Sequence, residues 1–256
     1  MSKSINLFKV FILIIIYTLP AYCYGDVLYL ENSQSIYNCV DNSSTCEIIL
    51  VPDELIDDIT DSNLSIDNFL GERYLLLTPK HNASANICYS SYSIKENKID
   101  PIERNILGSG NINLCQYRKI NNQIISRYRD AGKWIERLYQ EEGGKYKLLI
   151  EDQCIGCGTI YRIIFNNNYL SYKLVSDKDD LYKREQLTKF ILTDKSFLYA
   201  NNDEKSKTKM YLVKGDKVNL LNMQDDFYEI EYTTKSNKII KKWLHCSAID
   251  ACVSSD

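Results

Sequence analysis

Two cysteines three positions apart, Cys154 and Cys157, lie in the stretch EDQCIGCGTIYR of a chain that has only two histidines. A Cys-x-x-Cys pair supports thiol–disulfide exchange, metal coordination or a small structural disulfide. Thiol exchange needs a lowered thiol pKa, which a helix starting directly after the first cysteine usually supplies. Here the residues that follow, GTIYRIIF, are β-branched and aromatic, as is typical of a strand. The sequence therefore favours a disulfide that tightens a hairpin turn, with redox chemistry as the alternative.

A metal site is the weaker interpretation of the cysteines. Zinc would need four ligands of cysteine or histidine type, and a second pair exists only as Cys246 and Cys252, with His245 beside the first of them. An oxidising compartment would compete for all these thiols. The other imidazole, His81, lies in the polar stretch PKHNASAN and is expected at the surface. The sequence predicts no metal and no cofactor.

No enzyme is expected from the remaining reactive residues. A cysteine hydrolase would need a reduced cysteine at a helix start together with a distant histidine, and no cysteine lies at such a start. The run DDITDSNLSIDN does not fit a calcium loop, because its Asp spacing is wrong and no closing Glu follows. Three acidic pairs lie in polar contexts typical of solvated surface: Asp57-Asp58, Asp179-Asp180 and Asp225-Asp226.

The first 25 residues predict export. Two lysines precede the apolar run VFILIIIYTL, and small residues follow it, as in a secretory signal peptide. The run is short for a membrane span, and no second long apolar run follows, so no span is expected in the mature chain. Cleavage after Gly25 would leave a soluble periplasmic or secreted protein. The alternative is lipidation at Cys23, against which the bulky Tyr22 argues.

The cysteine count and the net charge narrow the class of protein further. Cys23 leaves with the leader, so eight of the nine cysteines remain, an even number typical of disulfides in an exported protein. Local pairing is the simplest arrangement: Cys39 with Cys46, Cys88 with Cys115, Cys154 with Cys157, and Cys246 with Cys252. The formal charge of −3 becomes −5 once Lys3 and Lys9 are removed, and no basic patch for nucleic acid is evident.

The apolar pattern predicts a mainly β chain. Residues 26–180 are expected to form an antiparallel, disulfide-stapled β domain with one or two short helices, after Pro52 and near Ser65. Its second half predicts a hairpin meander, because apolar segments alternate with breaks containing Gly or Asn. The five segments are IISRYRD, KWIERLYQ, KYKLLIED, TIYRIIF and YLSYKLV. The charged residues 178–189 predict a linker or a short exposed helix at a domain boundary.

Residues 187–252 predict five short strands in a small barrel. The runs MYLVKGDKVNLL, DDFYEIEY and KIIKKWLHCSAID resemble the bacterial Src-homology-3 domain of exported and wall-associated proteins. The residues that carry the resemblance are Tyr211, the Gly215-Asp216 turn, Val218, Phe227, Ile230, Tyr232 and Trp243. Family members usually carry Trp at the position of Phe227 and Gly at that of Lys242. The meander before this region resembles only uncharacterised exported bacterial proteins.

The resemblance implies a small β-barrel of Src-homology-3 type with an aromatic-lined ligand groove. Candidate ligand-binding residues are Tyr199, Tyr211, Phe227 and Tyr228, whereas Trp243 is expected to fill the core. The predicted function is non-catalytic binding in the bacterial cell envelope, of peptidoglycan or of a protein partner. An immunity or inhibitor protein against a toxic or lytic periplasmic enzyme is the alternative. A cell-wall hydrolase is the third class, and it lacks a nucleophile–base or metal constellation.

Overall fold

The computed structural model describes residues 27–31, 34–39, 46–80, 85–108, 114–166 and 169–252. The predicted signal peptide, including Cys23, and His81 lie outside these residues. Within them the chain is mainly β, as predicted. None of the helices in this part of the chain has the length and apolarity to cross a membrane.

The described residues form twenty strands in three sheets. Sheet I contains β1 (Val27–Glu31), β2 (Ser35–Cys39), β3 (Cys46–Leu50), β4 (Ser62–Phe69), β5 (Glu72–Pro79), β6 (Cys88–Lys95), β7 (Lys98–Glu103) and β8 (Leu114–Cys115). Sheet II contains β9 (Arg118–Ile120), β10 (Gln123–Asp130), β11 (Lys133–Glu142), β12 (Lys145–Ile155), β13 (Thr159–Asn166) and β14 (Tyr169–Ser176). Sheet III contains β15 (Thr188–Phe190), β16 (Lys195–Tyr199), β17 (Lys207–Val213), β18 (Lys217–Gln224), β19 (Phe227–Thr233) and β20 (Ile239–His245). The helical elements are α1 (Ile56–Thr60) and 3-10 turns at Asp53–Leu55, Leu181–Lys183, Glu204–Ser206 and Cys246–Ala248.

Four disulfides join the cysteines that are neighbours along the chain. The pairs and their Cα separations are Cys39–Cys46 at 4.2 Å, Cys88–Cys115 at 3.9 Å, Cys154–Cys157 at 5.5 Å and Cys246–Cys252 at 4.7 Å. These are the four local pairs that the sequence order predicts. The second of them ties β6 to β8 within sheet I. Four disulfides fit an oxidising compartment, because reducing compartments keep thiols free.

One short helix forms after Pro52, in agreement with the one or two short helices that the sequence predicts. It is α1, only five residues long, and a 3-10 turn precedes it. The segment around Ser65, the other place where a helix could form, is instead β4 and pairs with β5 along its whole length. Alternate side chains of β4, Leu64 and Ile66, pack against the sheet I core. Leu70 and Gly71 close the hairpin with φ of 55° and 78°, the left-handed pair that a two-residue turn requires.

Sheet II is the predicted meander. Its order β14-β13-β12-β11-β10-β9 follows the chain, so each strand pairs with its sequence neighbour. Gly143 and Gly144, with φ of 60° and 72°, form the turn between β11 and β12. Sheet II packs on sheet I through Ile124 and Tyr139, which share one buried cluster with Phe69 of β4. Residues 27–176 therefore contain two sheets that share a core.

The strap, defined as residues 178–187, is anchored to sheet II by two buried side chains, Leu181 and Arg184, while most of its other side chains are exposed. The sequence predicts a linker or a short exposed helix there, and the structure has a 3-10 turn at Leu181–Lys183 in a segment that is mostly exposed. Leu181 is 1% exposed and packs against Ile125 and Leu138. The strap ends at Leu187, whose N–H donates to the Leu174 carbonyl at 2.8 Å while its own carbonyl accepts from Leu220 at 2.9 Å. The strap thus joins sheet II to sheet III.

A buried ion network fixes the strap. Arg162 donates from Nε and Nη2 to the two carboxylate oxygens of Asp152, at 2.6 Å each. Arg184, from the strap, donates to Asp152 at 2.6 Å and lies 2.9 Å from Glu136. The side chains of Asp152 and Arg184 are fully buried, so each charge depends on its partners for compensation. The charged composition of the strap is explained by this network.

Sheet III is antiparallel, with the order β15-β18-β19-β20-β16-β17. Its inner face forms a core that includes Leu198, Leu212, Ile230 and Leu244, and Leu174 of sheet II packs on the same core. The resemblance to Src-homology-3 domains stays a prediction. The outer face of β16, β17, β19 and β20 carries aromatic side chains, among them Phe197, Tyr199 and Tyr211.

Candidate functional site

Alternation along β16 and β17 creates a polar–aromatic outer face on sheet III. In KTKMYLV the even positions are mixed, with Leu212 buried and Met210 39% exposed, whereas the odd positions Lys207, Lys209, Tyr211 and Val213 are all exposed. Successive side chains of a strand point to opposite faces, so the exposed set lies on one side of the sheet. The same rule places the lysine and aromatics of KSFLY beside them on β16.

An aromatic–lysine patch forms where the two strands pair. We define it as Lys195, Phe197, Lys207 and Tyr211. Phe197 lies directly opposite Tyr211, with ring centroids 6.3 Å apart in a T-shaped arrangement. The Lys195 ammonium lies 4.3 Å from the Tyr211 centroid and 4.8 Å from that of Phe197, and the Lys207 ammonium lies 3.9 Å from the Phe197 centroid. Two cations therefore rest on two rings.

The patch presents positive charge on a flat apolar base. Tyr211 is 51% exposed, so one ring of the patch remains open to a large ligand. Because an ammonium group lies over one face of each ring, the patch suits anionic groups better than neutral partners that would stack on that face. A carboxylate that approaches the lysines would gain charge-assisted hydrogen bonds while its carbon skeleton contacts the rings.

A row of aromatic side chains continues the patch across the sheet. Tyr199 meets Phe227 edge-on, with ring centroids 5.1 Å apart, and Phe227 meets His245 in the same way at 5.2 Å. A cleft of about 270 Å³ opens beside this row and includes Lys195, Tyr199 and His245 in its lining. The aromatic row gives the outer face a continuous surface from β17 to β19.

The four predicted ligand residues do not share one groove. Tyr199 and Tyr211 lie on the outer face, and Phe227 is 6% exposed beneath Tyr199. Tyr228 points inward, belongs to the sheet III core, and donates from its hydroxyl to the Ala251 carbonyl at 3.2 Å. Burial raises the pKa of Tyr228 above its ordinary value. Alternation on β19 separates the adjacent pair, because neighbouring side chains of a strand face opposite sides.

Two aromatic positions were missed or misplaced by the sequence reasoning. Phe197 was not predicted, although the alternation in KSFLY places it on the side of Lys195 and Tyr199. Trp243, expected in the core, is only half-buried and lies on the outer face opposite Tyr199 and Glu229. Its inward neighbour Leu244 occupies the core position instead.

The cluster His245, Cys246 and Cys252 is the one group of potential metal ligands found among the described residues. Their ligand atoms lie within 4.8 Å of one another. The two sulfurs form a disulfide, so neither is available as the thiolate that zinc binds. The His245 ring accepts from the Ser247 N–H at 3.3 Å and thereby caps the last 3-10 turn. With the disulfide formed, the cluster therefore has a structural role at the 3-10 turn that follows β20.

The Cys154–Cys157 disulfide closes the turn between β12 and β13. Cys157 donates from its N–H to the Cys154 carbonyl at 3.1 Å, and β13 begins two residues later. Because a strand follows, the helix N-terminus that would lower a thiol pKa is not at this site. Cys157 is exposed, and the disulfide borders a groove of about 490 Å³ that Tyr161 and Tyr228 also line. The disulfide therefore acts as a clip at the edge of that groove.

Comparison with known proteins does not assign a family to the chain. No protein-family model, curated protein or solved structure matches it.

Proposed function

We propose that the protein is a non-catalytic binding protein of the bacterial cell envelope, and that the aromatic–lysine patch of sheet III binds peptidoglycan. The observation that carries the proposal is the placement of two ammonium groups over the Phe197 and Tyr211 rings on a sheet face where Tyr211 stays half exposed. A surface of this kind favours ligands that combine stiff apolar faces with negative charge.

Peptidoglycan has that chemistry, because its stem peptides place carboxylates at intervals along stiff glycan strands. The charge distribution of the chain supports peptidoglycan binding by sheet III. Residues 187–252 contain eleven lysines and nine acidic residues, although the whole chain is acidic. The predicted export signal, the disulfides and the resemblance to the bacterial Src-homology-3 domain all support a periplasmic or secreted setting.

Co-sedimentation with purified sacculi tests the proposal. Wild-type protein should co-sediment, and Tyr211→Ala should weaken binding about two- to fivefold, because it removes an exposed ring and the cation–π contact, worth about 0.5–1 kcal/mol, that holds Lys195 in the patch. Phe197→Ala should act in the same direction. Tyr169→Ala is the matched control, because Tyr169 is 64% exposed on sheet II, away from the patch.

The folded state of each variant is checked by its urea-unfolding midpoint. Unchanged sedimentation of Tyr211→Ala, or an equal loss for Tyr169→Ala, would contradict the proposed site. Failure of the wild-type protein to sediment with sacculi would contradict the proposed function itself.

A further inference from the structure

A second cleft, of about 410 Å³, lies on sheet I beside α1. Its volume is within the range of roughly 300–1,000 Å³ that organic ligands occupy. The residues that give the cleft its chemical character are Asp57, Asp58, Asp61, Glu103, Tyr92 and Leu77. Four carboxylates therefore surround a floor made of an aromatic and an aliphatic side chain. We refer to this feature as the acidic cleft.

The carboxylates of Asp57, Asp58 and Asp61 form no ion pair and no side-chain hydrogen bond with the residues that the structure describes. The nearest lysine along the paired strands, Lys80, donates its ammonium to the Thr60 carbonyl instead. Unpaired like charges around one cleft repel each other, and a cation placed between them would relieve that repulsion.

Tyr92 supplies an independent observation that points to a ligand. Tyr92 belongs to the sheet I core and is only 6% exposed, it lines the acidic cleft, and no described residue hydrogen-bonds its hydroxyl. Burial raises the pKa of Tyr92 above its ordinary value, with further contributions from the charges of Glu103 and Asp58. Tyr92, Glu103 and Asp58 line the same cleft, and the Tyr92 hydroxyl retains a free lone pair for a donor.

The geometry distinguishes between kinds of cation. The carboxylates of the acidic cleft do not converge within metal-ligand distance, since the one such cluster in the described residues lies elsewhere, at His245. The cleft also contains apolar surface from Leu77 and Pro79, which a bare metal ion would not use. An organic cation on an aliphatic stem fits both features, with its charged head among the carboxylates and its stem along the apolar wall.

We propose that the acidic cleft binds an arginine or lysine side chain presented by a basic partner protein. The cleft is on sheet I and is negatively charged, whereas the aromatic–lysine patch is on sheet III and is positively charged, so this site is additional to the proposed wall-binding surface. A basic partner is the class of molecule that an exported inhibitor of a wall-lytic enzyme would capture. Charge complementarity is the property that steers such encounters.

The experiment uses the full mature chain and a rhodamine-labelled hexa-arginine peptide, with binding followed by fluorescence anisotropy. The peptide should bind, and binding should weaken as sodium chloride is added. The triple variant Asp57→Asn/Asp58→Asn/Asp61→Asn should weaken it about tenfold, and Tyr92→Phe about threefold, because each removes acceptors for the cation. The matched control is Asp53→Asn/Glu54→Gln, which removes two exposed acids from the adjoining 3-10 turn outside the cleft. The control should bind as the wild type does.

Three results would overturn the proposal. They are the lack of peptide binding by the wild type, an equal loss for the control variant, and displacement of the peptide by calcium chloride at matched ionic strength, which would indicate a metal site. Unfolding midpoints establish that each variant is folded. The outcome is independent of co-sedimentation with sacculi, because the substituted residues lie on sheet I and the proposed wall-binding residues on sheet III.

Discussion

Asparagine in place of Asp152 would remove the charge that two buried guanidinium groups share. Asp152 accepts three bonds of 2.6 Å, two from Arg162 and one from Arg184, and its side chain is fully buried. With the charge removed, Glu136, at 2.9 Å from Arg184, is the remaining acid among the described partners of that group. Breaking a buried ion pair on one side costs about 3–5 kcal/mol. We expect Asp152→Asn to lower the free energy of unfolding by that amount.

Urea denaturation followed by tryptophan and tyrosine fluorescence measures this loss. Glu185→Gln is the matched control, because Glu185 lies in the same strap but its pair with Lys178 is 3.5 Å long and exposed. Exposed pairs contribute about 0–1 kcal/mol, so the control should be nearly neutral. The double variant Asp152→Asn/Arg162→Met should lose less than the two single losses added together, because it removes a charge from each side. A loss below about 1 kcal/mol for Asp152→Asn would refute the role given to the network.

Two further predictions concern titration and cross-links. Burial, with smaller contributions from nearby charges, raises the pKa of Tyr161 to about 12. The unfolded chain therefore ionises first, near pH 10, and the stability that this tyrosine contributes is complete below about pH 10 and decreases as the pH rises towards about 12. Alkaline unfolding curves of Tyr161→Phe should show a smaller decrease, and identical curves would contradict this assignment. For the disulfides, replacing Cys88 and Cys115 by serine should cost about 3.5 kcal/mol, and replacing Cys154 and Cys157 about 2 kcal/mol, because the first closes a longer loop. The reverse order in urea denaturation would contradict the view that both act mainly on the unfolded chain.

Strands and turns were predictable because their signals are local. The five segments of the meander alternate with Gly- or Asn-containing turns, and sheet II follows them in order. Local signals were insufficient for β4, where Ser65 and the acidic residues around it resemble a helix start. Its strand character depends on pairing with β5, a contact that a single segment does not encode.

The burial of charged residues was the second feature that could not be predicted from the sequence. The charged residues of the strap predict a solvated segment. Arg184 is nevertheless buried, because it pairs with residues more than 30 positions earlier in the chain, such as Asp152. The candidate site also depends on contacts between residues that are distant in the sequence. The resemblance made Tyr211 a ligand candidate and Tyr211 is exposed, but only the register of β16 against β17 brings Phe197 opposite it. Cross-strand neighbours are a property of the sheet, so the patch could not be predicted from either strand alone.

The salt dependence of binding to sacculi tests the central claim most directly. Binding isotherms of the wild type and of Lys195→Gln/Lys207→Gln are measured as sodium chloride is raised, with Lys235→Gln/Lys238→Gln as the control for lysines in the turn between β19 and β20. We expect wild-type affinity to fall with salt, the patch variant to bind weakly at every salt concentration, and the control to follow the wild type. A patch variant that binds as tightly as the wild type across the series would contradict the proposal that the aromatic–lysine patch binds peptidoglycan.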